Sequence, residues 1–114
     1  MITRIGTTPR YADATAFNGL AYIVEVPASE EGGIKPQMES LLASLERTLI
    51  AAGSGKDRLL MATIHLVDMA DYDGMNAVWE AWLPIDCAPA RACVKVAGLA
   101  RTGWRVEVTV TAAV

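Results

Sequence analysis

Histidine and cysteine are scarce in this chain, with one His and two Cys among 114 residues. Cys87 and Cys93 stand six positions apart, which suits neither a redox pair nor a zinc site, and His65 alone does not complete a ligand set. No metal site is expected, and a reduced, cytoplasmic compartment is the default. Basic runs are missing as well. Lys and Arg are scattered and the formal net charge is −3, which gives nucleic acid no electrostatic footprint. Long apolar runs are also absent: nothing approaches the ~18 residues of a membrane helix, and Met1-Ile2-Thr3-Arg4 leads into no apolar signal segment. Neither membrane association nor export is expected. Gly53-Ser54-Gly55-Lys56 resembles a phosphate loop only superficially, because the six-residue spacing to a first Gly fails and Asp57 stands where Ser or Thr is required.

What the chain does have is apolar content. Hydrophobic residues make up 53 % of it, and its mean hydropathy is +0.29. That is high for one short domain spanning residues 1–114, since small domains bury only a modest share of their surface. Exposed apolar patches mark interfaces, so self-association is expected.

Patterning sets the elements. Thr3–Ile5 reads as a short strand, and the runs 13–17 and 20–26 flank Asn18-Gly19, a strong hairpin signal. Residues 27–35 form a polar loop. Pro36 suits a first helical position, and Met38, Leu41, Leu42, Leu45 and Leu49 form one apolar stripe, with Gln37 and the charged residues mostly off it. Gly53 ends that helix. Residues 59–67 read as a strand with both faces covered. A second helix over 71–83 buries Met75, Val78, Trp79 and Trp82, with Asp71 or Asp73 as its cap and Pro84 as its stop. Strands over 92–97 and 104–112 follow. The order β-β-(β)-α-β-α-β-β implies an α+β fold, with a mixed sheet and its helices on one face. The other sheet face then needs a cover.

Two residues carry chemistry in this frame. Arg91 follows Pro89-Ala90 at the mouth of an apolar strand, and its fork can grip a carboxylate through two parallel hydrogen bonds. Glu107 lies on the polar side of the last strand, where Trp104, Val106, Val108, Val110 and Ala112 alternate with Arg105, Glu107, Thr109 and Thr111. It is suited to position or activate a water. Together they suggest a site for small carboxylated molecules. Cys93 has no base near it in sequence and reads as a small hydrophobe rather than a nucleophile. His65, mid-strand, reads as a hydrogen-bonded structural residue, and Trp79 and Trp82 as core.

The segment Pro89-Ala90-Arg91-Ala92-Cys93-Val94, continuing through Val96-Ala97 to Leu99 and then, after a loop, Val106-Glu107-Val108, resembles the reactive-intermediate deaminases, the RidA-like enamine/imine deaminases. Upstream, Ala52-Gly53, Ala62-Thr63-Ile64-His65-Leu66-Val67-Asp68 and Met75-Asn76-Ala77-Val78-Trp79 agree in order and spacing, so the likeness spans nearly the whole chain. The resemblance implies a chorismate-mutase-like α+β fold and a homotrimer with sites in the clefts between subunits. It also implies hydrolysis of acids such as 2-aminoacrylate and 2-iminobutyrate to 2-keto acids and ammonia, without cofactor or metal. By the same resemblance Arg91 holds the substrate carboxylate, Glu107 handles the attacking water, and Cys93 and Tyr11 line the pocket. Asn76 holds a supporting contact. Arg10 precedes Tyr11 where many relatives carry Gly-Pro, and the Ser-Gly-Gln that many relatives place before a proline is replaced here by residues of Ile23-Val24-Glu25-Val26-Pro27. That marks a divergent branch. The alternative is a non-catalytic trimeric module that binds a small keto or amino acid. Ribonuclease activity, attached to some relatives, fits poorly with an acidic chain.

Overall fold

The computed structural model describes residues 1–114. The chain runs β1 (Thr3–Ile5), β2 (Ala14–Phe17), β3 (Leu20–Glu25), α1 (Ile34–Ala51), β4 (Leu59–Leu66), α2 (Tyr72–Trp82), β5 (Ala90–Lys95) and β6 (Val106–Ala113). All strands join one six-stranded sheet of order β1-β2-β3-β6-β4-β5. Pairing is antiparallel except between β4 and β5, which are parallel and joined through α2. The expected mixed sheet with two helices is therefore the observed architecture.

Local chemistry explains the boundaries. Asn18 (φ +52°) and Gly19 (φ +78°) both take the left-handed conformation that a tight hairpin turn demands. Helix α1 starts before Pro36, which sits third in the helix, still within the first turn where a missing N–H costs nothing. At its other end Gly53 (φ +84°) lets its own N–H reach the Ile50 carbonyl and the Ser54 N–H reach Leu49, closing a Schellman motif. Helix α2 is entered through a 3-10 turn, Met69–Asp71, which Asp68 caps by accepting the Ala70 N–H through Oδ1 at 2.9 Å. Asp71 holds the N-cap position of α2, as expected, but its side chain makes no cap bond. Asp71 instead receives Arg105 at 3.2 Å.

The molecule measures 41 × 37 × 20 Å. Its thin dimension fits one helical layer on one sheet. The stripe Met38, Leu41, Leu42, Leu45 and Leu49 of α1 and Met75 and Trp79 of α2 pack on one sheet face, against Ile23, Ala62, Ile64, Leu66, Val106, Val108, Val110 and Ala112. Gln37 departs from the sequence reading. It is buried, and its side chain ties the start of α1 to the β5–β6 loop: Nε2 donates to the Gly103 carbonyl at 2.9 Å, and Oε1 accepts from the Arg105 N–H at 2.8 Å.

The opposite sheet face carries no helix. Registers place Tyr22 against Thr111, Val24 against Thr109, Thr63 against both Thr109 and Ala92, and His65 against both Glu107 and Val94. Strand β4 is therefore covered on one face only. Val24 is 51 % and Val94 42 % exposed there. No helix is long and apolar enough to cross a membrane.

Candidate active site

Arg91 is the second residue of β5, and its register partner on β4 is the buried Ala62. Arg91, Cys93 and Lys95 therefore share the helix-bearing face of the sheet. There α2 meets the guanidinium. A terminal nitrogen donates to Asn76 Oδ1 at 2.8 Å, the other approaches the Tyr72 hydroxyl at 3.4 Å, and the group lies 5.9 Å from the Tyr72 ring centroid. Met75 Sδ lies 3.9 Å away. Every one of these partners is neutral. The ion pairs of the chain are Lys56–Glu46 and Arg105–Asp71, so the half-buried Arg91 has no counterion. A positioned, unneutralised guanidinium with N–H groups to spare has the donors that gripping an anion requires.

A cavity of about 340 Å³ opens beside it. Tyr72, Asn76, Trp79, Glu80 and Leu83 of α2 and its exit line one side, and Ala88, Pro89 and Arg91 the other. Its volume suits a small ligand. Pro84 ends α2 and Pro89 leads into β5, so two rigid turns shape the mouth.

Among the residues singled out from sequence, the structure brings Arg91, Asn76 and Cys93 together. Cys93 follows Arg91 on the same face and is half-buried. Burial pushes its thiol above the ordinary value, against the opposing pull of the Arg91 charge, so it stays protonated at neutral pH and makes a poor nucleophile. Glu107 stands elsewhere. Its partner on β4 is His65, on the face without helices, so within one chain Glu107 and Arg91 point to opposite sides of the sheet. His65 Nδ1 lies 3.0 Å from the Glu107 backbone carbonyl; the carbonyl only accepts, so the ring donates from Nδ1. Tyr11 lies in the exposed β1–β2 connection, toward the opposite edge of the sheet from β5. At ~4.8 Å per strand step, roughly 20 Å separates it from Arg91 within one chain.

Tyr72 and Glu80 were not singled out from sequence. The available signal was their four-residue spacing from Asn76, which puts all three on one stripe of α2.

Fold and site together define a two-layer α+β protein with an unpaired arginine on an edge strand, held by the helix that leads into it. Residues 1–114 match the profile of the family described as Endoribonuclease L-PSP, and the chain belongs to that family, with RutC, YjgF and Rid proteins as its relatives. It is 39 % identical to a RutC family protein of Haemophilus ducreyi over 115 residues, covering 100 % of this chain and 97 % of the relative. The crystal structure of a YjgF-family protein from Neisseria meningitidis superimposes with a TM-score of 0.95 at 44 % identity, over 99 % of this chain and 94 % of that one. A Yersinia pestis member of the conserved Rid family, its function described as unknown, gives a TM-score of 0.92 at 26 % identity with full coverage of both chains.

Proposed function

We propose that this protein hydrolyses reactive enamine and imine acids, such as 2-aminoacrylate and 2-iminobutyrate, to 2-keto acids and ammonia. The observation that carries the reading is the Arg91 guanidinium, ordered by Asn76 and Tyr72 yet left without a counterion beside a cavity of ligand size. Arg91 holds the carboxylate and presents the adjacent imine carbon. An enamine such as 2-aminoacrylate first takes a proton from solvent at its β-carbon and becomes the imine. Water attacks the imine carbon while Glu107 takes its proton, and the C=N electron pair moves to nitrogen. The nitrogen is then protonated, the C–N bond breaks, ammonia leaves and the carbonyl forms. Cys93 lines the site through its backbone. No metal or cofactor enters. Imines hydrolyse in water unaided, so positioning plus one acid–base group, worth about 10²–10⁴-fold, is sufficient.

Because Glu107 and Tyr11 do not reach Arg91 within one chain, this reading takes them from a second copy. The helix-free sheet face supports that assembly: it is weakly charged, and Tyr22, Val24, Met61 and Val94 stand exposed on it. A homotrimer with clefts between subunits is the proposed form, in the cytoplasm.

The separation of Glu107 from Arg91 also supports a second reading, a trimeric module that binds a keto or amino acid without turnover. The family description names an endoribonuclease, but a chain of net charge −3 with scattered Lys and Arg offers RNA no footprint. Salt-sensitive RNA binding would overturn that exclusion. The deciding experiment generates 2-iminobutyrate in situ with a threonine dehydratase and compares wild type with Arg91→Ala. Acceleration by wild type, lost in the variant, supports the deaminase. With no acceleration by wild type and ligand affinity unchanged in Glu107→Ala, the binding module stands instead.

A further inference from the structure

Glu80 stands one helical turn beyond Asn76 on the stripe of α2 that faces Arg91. Tyr72 and Asn76 on that stripe contact the guanidinium, and Glu80 lines the same cavity. Neither charge is neutralised, since the chain's ion pairs involve other residues, and the two stand beyond ion-pair reach of each other. One cavity thus has a free cation on its strand wall and a free anion on its helix wall. Tyr72, Trp79 and Leu83 supply apolar surface beside them. A turn of helix, about 6 Å for four residues, separates the Asn76 and Glu80 backbones. Because the Arg91 and Glu80 charges line one cavity without meeting, the head of an α-amino or α-imino acid can bridge them through two charge-assisted hydrogen bonds.

We propose that Glu80 recognises the cationic α-nitrogen of an amino or imino acid whose carboxylate Arg91 holds, with the aromatic wall taking an apolar side chain. The proposal rests on the reading of Arg91 as the carboxylate grip and adds a specificity residue to it. It also distinguishes substrate from product. A protonated nitrogen donates to Glu80, whereas a 2-keto acid presents a carbonyl oxygen there, acceptor against acceptor, and is held less tightly.

The test is calorimetric titration of wild type, Glu80→Gln and Arg91→Ala with L-leucine and with 4-methyl-2-oxopentanoate, which share one carbon skeleton. Wild type is expected to bind leucine about tenfold more tightly than the keto acid, the order of one charge-assisted hydrogen bond. Glu80→Gln is expected to lose that preference while still binding the keto acid, and Arg91→Ala to lose both ligands. Glu80 is exposed, so its amide variant retains the fold. If wild type shows no preference for leucine, or Glu80→Gln keeps the preference unchanged, the role of Glu80 fails alone. If wild type binds neither ligand, it fails together with the reading of Arg91.

Discussion

Asn76 Oδ1 accepts a hydrogen bond from Arg91 at 2.8 Å, joining helix α2 to the edge strand β5. The choice of an amide matters. An amide orients the guanidinium without cancelling its charge, whereas a carboxylate at the same point would form an ion pair and compete with any bound anion. Asn76→Asp is therefore expected to keep the fold, with a melting temperature at or above that of wild type, and to weaken binding of a 2-keto acid by tenfold or more, on the order of the loss of one strong ion pair. Titration calorimetry and a thermal melt check both halves. Undiminished anion binding in the variant would remove Arg91 from the site.

Gln37 has the opposite role, since its value lies in its own bonds. Its side chain satisfies the Gly103 carbonyl and the Arg105 N–H, with weaker contacts to the carbonyls of Glu31 and Gly32. Gln37→Leu fills similar volume but leaves those backbone groups unpaired. Each costs about 1–3 kcal/mol when buried, so a loss of roughly 2–4 kcal/mol in urea-denaturation stability is expected, and Gln37→Glu should recover only part of it. A loss below about 0.5 kcal/mol, the range of ordinary surface changes, would mean that water replaces the amide.

Glu25 gives the chain a pH-dependent weakness. It faces α1 at the end of β3, where its Oε1 accepts from Thr48 Oγ1 at 3.1 Å. Burial raises its carboxyl above the ordinary 4.5, and Asp13 adds to the rise, while hydrogen bonds from Ser44 and Thr48 only partly oppose it. A carboxyl with a raised folded-state pKa penalises the folded chain once ionised. The penalty is absent below the unfolded value, grows as pH climbs from there to the folded value, and is complete above it. Glu25→Gln should therefore raise the melting temperature at pH 7, with the gain shrinking toward pH 4. A gain of equal size at both pH values would locate the effect in packing rather than charge.

Much of this was legible in the chain, for identifiable reasons. The α1 stripe and the alternation of β6 follow from burial on one face, and each is complete within a single element. Asn18-Gly19 and Gly53 mark turns that demand positive φ. The alternation also placed Arg91 with Cys93 and Lys95, and Glu107 with Thr109. The relative phase of β5 and β6 was not legible, because β4 lies between them and sets it through two registers, Ala62 against Arg91 and His65 against Glu107. No local pattern records that. The burial of Gln37, read as off the stripe, was not legible because its main partners are backbone groups of the distant β5–β6 loop, which have no side-chain signature. Asp71 stands at the α2 N-cap position, but its carboxylate is engaged by Arg105, 34 residues away, a contact that no local pattern records.

The helix-free sheet face yields the last prediction. Val24 lies there on β3, an inner strand, opposite Thr109, with Tyr22 and Thr111 one pair further along. A Lys at position 24 stays solvated in an isolated chain and should leave the circular dichroism spectrum unchanged. In an assembly that covers this face, the same ammonium is desolvated without a partner, at a cost of several kcal/mol. Val24→Lys is therefore expected to shift a multi-subunit wild type toward the 12.2 kDa single chain in size-exclusion chromatography with light scattering. On the proposed assembly, in which a second copy brings Glu107 and Tyr11 to Arg91, it should also reduce imine hydrolysis. A wild type that runs as a single chain, or a Val24→Lys variant that assembles normally, would show that copies do not meet through this face. If that single chain still hydrolyses imines, Glu107 is not the group that handles the water.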